Sequence, residues 1–371
     1  DGTHYTPIYV ISGVPFYSVE TVTNDDFSKT KFISEEEHQN LIKRCKPERG
    51  DILMTRIGTL GITKRIDWDC DASIYVSLCL LKPNGVLDYS YVGEYSKSQL
   101  FVKEVVKRSL LGATPKKINM NRIGEIPIIH PSDANECLEI AEVLSHSGAQ
   151  IQALEYLISK KRDIKQGTMQ ELLTGKTRLP GFTDEWETHK IGELVSVKTG
   201  DKDTQDRVQE GNYPFFVRSQ KVERINSYSY KGEAVLTAGD GVGTGKVFHY
   251  INGKFDYHQR VYCMSDFSKI YGRYFFYQFS TRFLERIMSM IAKSSVDSVR
   301  KAMITEMEIP VPVSINEQEA IAEVLTDMDA EIAALEERLE KAKAIKQGMM
   351  QQLLTGKKRL VEPQNSQEVS A

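Results

Sequence analysis

The sequence predicts an α+β protein in which two similar globular domains are separated by two long helices that form an antiparallel coiled coil, on a pseudo-two-fold plan. Three observations predict it. The stretch "IKQGTMQELLTGKTRL" from Ile164 returns as "IKQGMMQQLLTGKKRL" from Ile345, identical at thirteen of sixteen positions. "IAEVL" at 140–144 returns at 321–325, and the offset from Ile140 to Ile321 is the same as that from Ile164 to Ile345. Before and between these repeats the chain holds Gly, Tyr, Phe, Val and Ile in short runs, the texture of strands and turns.

In chain order, the first domain occupies residues 1–131. It contains an extended "GVPFYSV", a turn with strands in "RGDILMTRIGTLG", a basic aromatic helix-like stretch, and a basic loop "TPKKINMNRIGEIP". A long helix follows over 132–175. Its proposed seam is Ile140, Leu144, Ser147, Ile151, Leu154, Ile158 and Lys161, apolar at five of seven positions. The second domain, 176–313, repeats the plan with "NYPFFVRS", "KGEAVLTAGDGVGTG", "KIYGRYFFYQFSTRFLERIM" and "SVRKAMITEMEIP". The second long helix, 314–356, carries a heptad seam at Ile321, Leu325, Met328, Ile332, Leu335, Leu339 and Ala342. Residues 357–371 are expected to form a flexible tail.

Both helices are punctuated alike. "DANE" from Asp133 and "SINE" from Ser314 have capping-box spacing, which assigns Glu136 and Glu317 to the helix starts. "LLTGK" ends each copy on Gly175 or Gly356, where a left-handed cap costs little. A helix of about 40 residues is roughly 60 Å long, so two such helices side by side make a rod.

Composition narrows the class. There is no run of eighteen apolar residues and no signal-peptide-like start, which points to the cytoplasm and away from a membrane. Five cysteines without a C-x-x-C pair suggest neither zinc nor a disulfide framework. The net charge of −3 is not that of a typical nucleic-acid binder, but it hides a segregation. Residues 97–122 carry seven bases against Glu104 alone, and 269–301 carry seven against Glu285 and Asp297. The balancing acid lies at 317–340, with nine carboxylates and one base, as on a solvated helix face.

No local motif for catalysis emerges. "GDGVGTGK" at 239–246 lacks the first glycine of a phosphate loop and the Ser/Thr after its lysine, so it reads as a glycine-rich turn, or as a backbone loop approaching DNA. Asp240 and Asp256 read as turn residues. The seven histidines form no metal or triad pattern. Each basic aromatic stretch alone could be an amphipathic helix burying its rings. Two of them, at corresponding places and each followed by a basic loop, favour phosphate contact.

The doubled "IKQGxMQxLLTGKxRL" and "IAEVL", the opening "DGTHYTP...GVPF...GDILMTRIGTLG" and the later "DEWETHKIGELV" resemble the specificity subunit (HsdS) of Type I restriction-modification systems. The resemblance covers essentially the whole chain. It implies two target recognition domains, each reading half of a split double-stranded DNA sequence, and a coiled coil that fixes the gap. It implies no catalytic residue, metal or cofactor in this chain. Two modification subunits would methylate adenine N6 with S-adenosylmethionine, and restriction subunits would translocate and cut with ATP and Mg. The helix ends would dock the modification subunits, which nominates Lys165, Gln166, Gly167 and Gln170, and Lys346, Gln347, Gly348 and Gln351.

Phosphate contact is assigned to Lys103, Lys107, Arg108, Lys116, Lys117 and Arg122 in the first domain. In the second it falls to Arg273, Arg282, Lys293, Arg300 and Lys301. Arg56, Asn119, Asn121, Arg218, Gln220 and Arg260 are of the side-chain types that pair with guanine or adenine edges. Two rival readings remain, a coiled-coil scaffold joining two domains for other ligands and a self-contained modification enzyme. One departure stands out: the whole stretch from Gly181 to Tyr213 precedes the second "PF", but only Asp1 to Val14 precede the first. The expectation is that a strand with its lead-in is missing and that the chain is a trimmed fragment.

Overall fold

The computed structural model describes residues 1–82, 85–291 and 298–360. Lys293, and the tail from 361 on, lie outside the described residues. Two compact units emerge, one made of Asp1–Glu155 with the chain from Glu337, the other of Tyr156–Glu336. Each unit contains a mixed sheet domain and parts of both long helices.

The first unit runs β1 (Tyr9–Val10), β2 (Val14–Tyr17), α1 (Val19–Thr23), β3 (Lys31–Ile33), α2 (Glu35–Leu41), β4 (Ile52–Thr55), β5 (Thr63–Arg65), β6 (Ser73–Ile74) and β7 (Leu78–Leu81). Helices α3 (Tyr89–Ser96), α4 (Gln99–Lys107) and α5 (Met120–Ile123) follow, and then the long α6 (Ala134–Leu172). Strands pair as β1-β3-β2-β6 and as β5-β4-β7, with β2 and β6 parallel.

The second unit adds β8 (Trp186–Lys190), α7 (Ile191–Leu194), β9 (Ser196–Thr199), β10 (Tyr213–Phe216), β11 (Glu223–Ile225), β12 (Tyr230–Ala238), β13 (Phe248–Tyr257) and β14 (Val261–Ser265). It continues with α8 (Gly272–Ile291), α9 (Lys301–Thr305), β15 (Glu308–Pro312) and the long α10 (Ile315–Leu353). Its strands pair as β11-β10-β13-β12-β14-β9, and β15 pairs with β8.

The duplicated plan is visible in these ladders. Phe16 faces Ser73 across a parallel pair in the first unit, and Phe215 faces Asp256 across one in the second. The long β13 serves both β10 and β12, whereas its counterpart in the first unit is broken into β5 and β6. The break is the loop between them, whose Trp68 packs against Phe27 in a tilted pair with ring centroids 4.8 Å apart. The "IP" segment of the second domain is β15, paired along its length with β8. The matching segment 126–130 pairs with no strand among the described residues.

Each core is built on aromatic helix faces. In α8, Tyr274, Phe275, Phe279 and Phe283 are fully buried against the sheet, and Phe279 and Phe283 stack at 4.4 Å. The spacing of four between 275, 279 and 283 puts them on one face, and each such side chain contributes about 2–3 kcal/mol when removed from water. The first unit does the same with Tyr91 and Tyr95 of α3 and Phe101 and Val105 of α4. Tyr91 donates its hydroxyl to the Ile129 carbonyl at 2.7 Å, and Tyr274 donates to the Pro310 carbonyl at 3.1 Å. Pro310 is the proline of its "IP" pair, and Ile129 lies two residues past Pro127, the proline of the other.

The heptad seam is turned inward. Ile140, Leu144, Leu154, Ile158, Ile321, Leu325, Ile332 and Leu339 are buried; Ile151, Met328 and Leu335 are half-buried. Cross-helix pairs run in opposite directions along the chain, which makes the helices antiparallel in both units. Lys161 reaches Glu331 at 2.6 Å and Lys165 reaches Asp329 in the second unit. In the first, Lys343 reaches Glu155 at 3.0 Å, and Gly148 lies opposite Lys346.

Gly175 and Gly356 both adopt φ of +70°, the left-handed stop that "LLTG" implies. The helix starts depart from expectation. Asp133 does cap its helix, accepting from Asn135 N–H at 2.8 Å. Glu136 and Glu317, however, do not complete capping boxes. Their carboxylates are fully buried and held by Arg359 and Arg178, because a guanidinium offers a stronger, forked partner than one backbone N–H.

Candidate nucleic-acid interface

The basic residues nominated from sequence fall into two physical groups. In the first unit, Lys103 and Lys107 stand exposed on α4, and Lys116 and Lys117 on the loop that follows. That loop is fixed by its backbone: Gly58 N–H donates to the Lys116 carbonyl, Leu110 N–H to the Lys117 carbonyl and Ile118 N–H to the Arg56 carbonyl. The lysine side chains are thus carried outward on anchored main chain. Asn119 and Asn121 are exposed at the start of α5, beside Arg122, which pairs with Glu125 at 2.7 Å. Arg108 is half-buried and paired with Glu104.

Arg56 is placed differently from the expectation of an exposed base reader. It is buried, donating to the Ile118 and Val76 carbonyls at 3.2 and 3.1 Å and to Asp1 at 3.1 Å. Its position directly after a central strand puts the guanidinium inside the fold, where backbone carbonyls take its donors.

In the second unit, Arg300 and Lys301 are exposed at the start of α9. Two other arginines nominated for phosphate are held by the protein. Arg273 lies 3.7 Å over the Tyr250 ring. Arg282 donates to the Leu173 carbonyl at 3.1 Å, and Gln278 donates to the same carbonyl at 2.7 Å. Leu173 directly follows the last residue of α6, so Arg282 serves the negative end of that helix.

Arg218, Gln220 and Arg260 are exposed on the connections around β10 and β14. Arg218 and Arg260 converge on one carboxylate, Asp240, at 2.9 and 3.3 Å. Asp240 is therefore more than the turn residue that its sequence suggests; the flanking glycines of "GDG" were the available signal that this turn packs closely on something. Nearby His258 is buried, and burial, with Arg218 beside it, lowers its pKa and keeps the imidazole neutral. His249 is shifted down by burial as well. Burial raises the thiols of Cys70 to about 11 and of Cys79 and Cys263 to about 12, so none of the three is a ready nucleophile.

The helix-end residues nominated for partner docking also divide. Lys165 pairs with Asp329 and lies 5.5 Å over the Tyr277 ring, while Lys346 pairs with Glu94 at 3.1 Å. Gln166, Gly167, Gln170 and Gln351 are exposed, and Gln347 and Gly348 half-exposed. In the second unit Gln166, Gln170 and Thr174 line an open groove of about 910 Å³ with Ser280, Arg282 and Ile332.

Residues 183–344 match the family of the Type I restriction modification DNA specificity domain. The match covers less than half of the chain. A specificity subunit of the Type I restriction enzyme EcoDI from Escherichia coli is 32% identical over 171 residues, 46% of this chain and 37% of the relative. The MjaVIII specificity subunit from Methanocaldococcus jannaschii is 26% identical over 185 residues, 46% of this chain and 42% of the relative. The aligned part therefore spans less than half the length of either relative. The crystal structure of a Type I restriction-modification S subunit from M. genitalium superposes with a TM-score of 0.68 over 95% of this chain and 92% of that one, at 15% identity. The fold of that subunit is thus shared by both units of this chain. Among the described residues no helix is long and apolar enough to cross a membrane.

Proposed function

We propose that this chain is the sequence-specific DNA-binding subunit of a Type I restriction-modification complex and performs no chemistry itself. Each unit reads one half of a bipartite target. The paired helices set the gap and dock two modification subunits, which methylate adenine N6 with S-adenosylmethionine. Restriction subunits using ATP and Mg join the full complex, which works in the cytoplasm. The observation that carries this reading is the specificity-domain match over residues 183–344 together with the repeated plan of the first unit, in which Tyr91 and Tyr274 each donate to a carbonyl of the segment leading into a long helix. A non-catalytic DNA reader needs anchored loops with outward bases, and Lys116, Lys117, Arg300 and Lys301 supply them.

The test is methylation of random duplex DNA by modification subunits assembled with this chain, followed by sequencing of modified sites. A split motif with a constant gap is expected. Methylation without sequence preference rejects the proposal.

A further inference from the structure

Three connections of the second unit meet around Asp240. Its Oδ1 accepts from Arg218 Nη1 at 2.9 Å, and its Oδ2 lies 3.3 Å from Arg260 Nη1. The glycines of the turn explain how one acid comes to sit between two arginines. A Cβ on Gly243 would lie 2.5 Å from the Arg218 carbonyl oxygen, and one on Gly239 would lie 2.9 Å from the Arg260 carbonyl oxygen. Only glycine lets the turn rest on both backbones. Gly239 N–H donates to the Arg260 carbonyl at 2.8 Å and its own carbonyl accepts from Val299 N–H at 2.7 Å, so the turn is pinned on two sides. Arg260 N–H in turn donates to Nδ1 of the buried His258 at 2.9 Å.

This framework leaves the arginine side chains 45% and 61% exposed while fixing one edge of each guanidinium. The exposed edges leave guanidinium donors open to a ligand, unlike those of the buried Arg56, which backbone carbonyls and Asp1 take up. A cluster built to attract phosphate would gain nothing from a carboxylate that cancels half its charge. What the carboxylate does provide is direction: it offsets the repulsion between two adjacent cations and removes rotamer freedom before binding. Directed guanidinium forks match the paired O6 and N7 acceptors of guanine in the major groove.

We propose that Arg218 and Arg260 read guanine edges in the half-site taken by the second unit, and that Asp240 is the positioning residue that holds them as a fork. The inference rests on the DNA-recognition reading above. It also gives "GDGVGTGK" a role: its backbone seats the acid.

The experiment selects from a randomised duplex pool with the full chain assembled with modification subunits, comparing wild type with D240N, R218K and R260K. D240N adds one unit of positive charge, so total DNA binding is expected to hold or tighten. Guanine preference at one or two positions of a single half-site should nevertheless fall roughly 5- to 100-fold, the range of one good bidentate contact. R218K and R260K keep the charge without the fork and should lose the same positions, which carries the test if D240N folds poorly. The other half-site should be unchanged. Tighter binding by D240N with every base preference retained would show that the acid only damps phosphate attraction and would overturn the proposal. If wild type selects a split site and the three variants retain it, this inference alone falls. If wild type selects no split site, the DNA-recognition reading falls with it.

Discussion

Arg178, just past the end of α6, grips the fully buried carboxylate of Glu317 in the first turn of α10, donating from Nη2 to Oε2 at 2.7 Å and from Nε to Oε1. Arg359 does the same to Glu136, with Nε at 2.7 and 2.9 Å from the two oxygens. Glu136 stands before Glu317, and Arg359 after Arg178, by the offset that separates Ile164 from Ile345, as a two-fold relation between the repeats requires. Each unit therefore has the end of one long helix clasped to the start of the other.

Breaking the clasp should cost more than a surface ion pair. Glu317 is 0% exposed and Arg178 is 27% exposed, so Arg178→Ala strands a buried charge. The expected loss is about 3 kcal/mol, at the low end for buried pairs because the arginine still meets water. Arg359→Ala should act in the same direction on the first unit. Chemical denaturation of each variant measures both losses, and an unchanged midpoint in R178A would show that the clasp is incidental.

The same contacts set an acid limit on the first unit. Hydrogen bonds from Arg359 lower the Glu136 pKa. Burial raises that of Glu94, but Lys97 and Lys346 more than offset it, and the net shift is again downward. Folded values below the unfolded one mean stability that is fully present above about pH 4.3 and lost as pH falls through the folded pKa. Urea midpoints measured from pH 7 down to pH 3 should fall in wild type. Glu136→Gln should start lower and flatten, converging with wild type at low pH.

The long helices were legible because their seam depends on spacing alone. Ile140 and Ile321 are buried where a heptad places them, and Gly175 and Gly356 stop the helices as their position in "LLTG" implies. Glu136 reads locally as a capping-box residue because its true partner, Arg359, is far away in the chain and no local pattern discloses it. Arg56 failed as an exposed reader for a related reason. Whether an arginine after a strand faces water or backbone carbonyls depends on Ile118 and Val76, which fold over it from distant sequence. Asp240 was invisible as a partner for the same reason, although its flanking glycines marked a close approach.

Lys116 and Lys117 should behave as phosphate contacts. They are exposed on a loop whose backbone is anchored, and no ion pair among the described residues competes for them. Substituting both with alanine should weaken binding to every duplex alike and lower the salt slope by about 0.9 per lysine. Arg122→Ala should do less, since Glu125 already offsets its charge. Binding isotherms at several salt concentrations separate the two cases, and a change in base preference would move the lysines to another role.

The paired helices make a length prediction. Inserting one heptad after Glu155 in α6 and one after Glu336 in α10 keeps both seams in phase to within about 20°. Each helix grows by about 10.5 Å, which corresponds to as much as about three base pairs at roughly 3.4 Å each. Insertion in one helix alone would slide Lys161 away from Glu331 and Lys343 away from Glu155, and should cost stability without giving a new gap. The double insertion should yield a target whose two half-sites are unchanged and whose gap is longer, read by sequencing methylated sites. An unchanged gap would mean that the helices do not act as the spacer. Altered half-sites would mean that the insertion reached the readers themselves, for which the clasps at Glu136 and Glu317 provide the check, because intact clasps leave each unit's denaturation midpoint where it was.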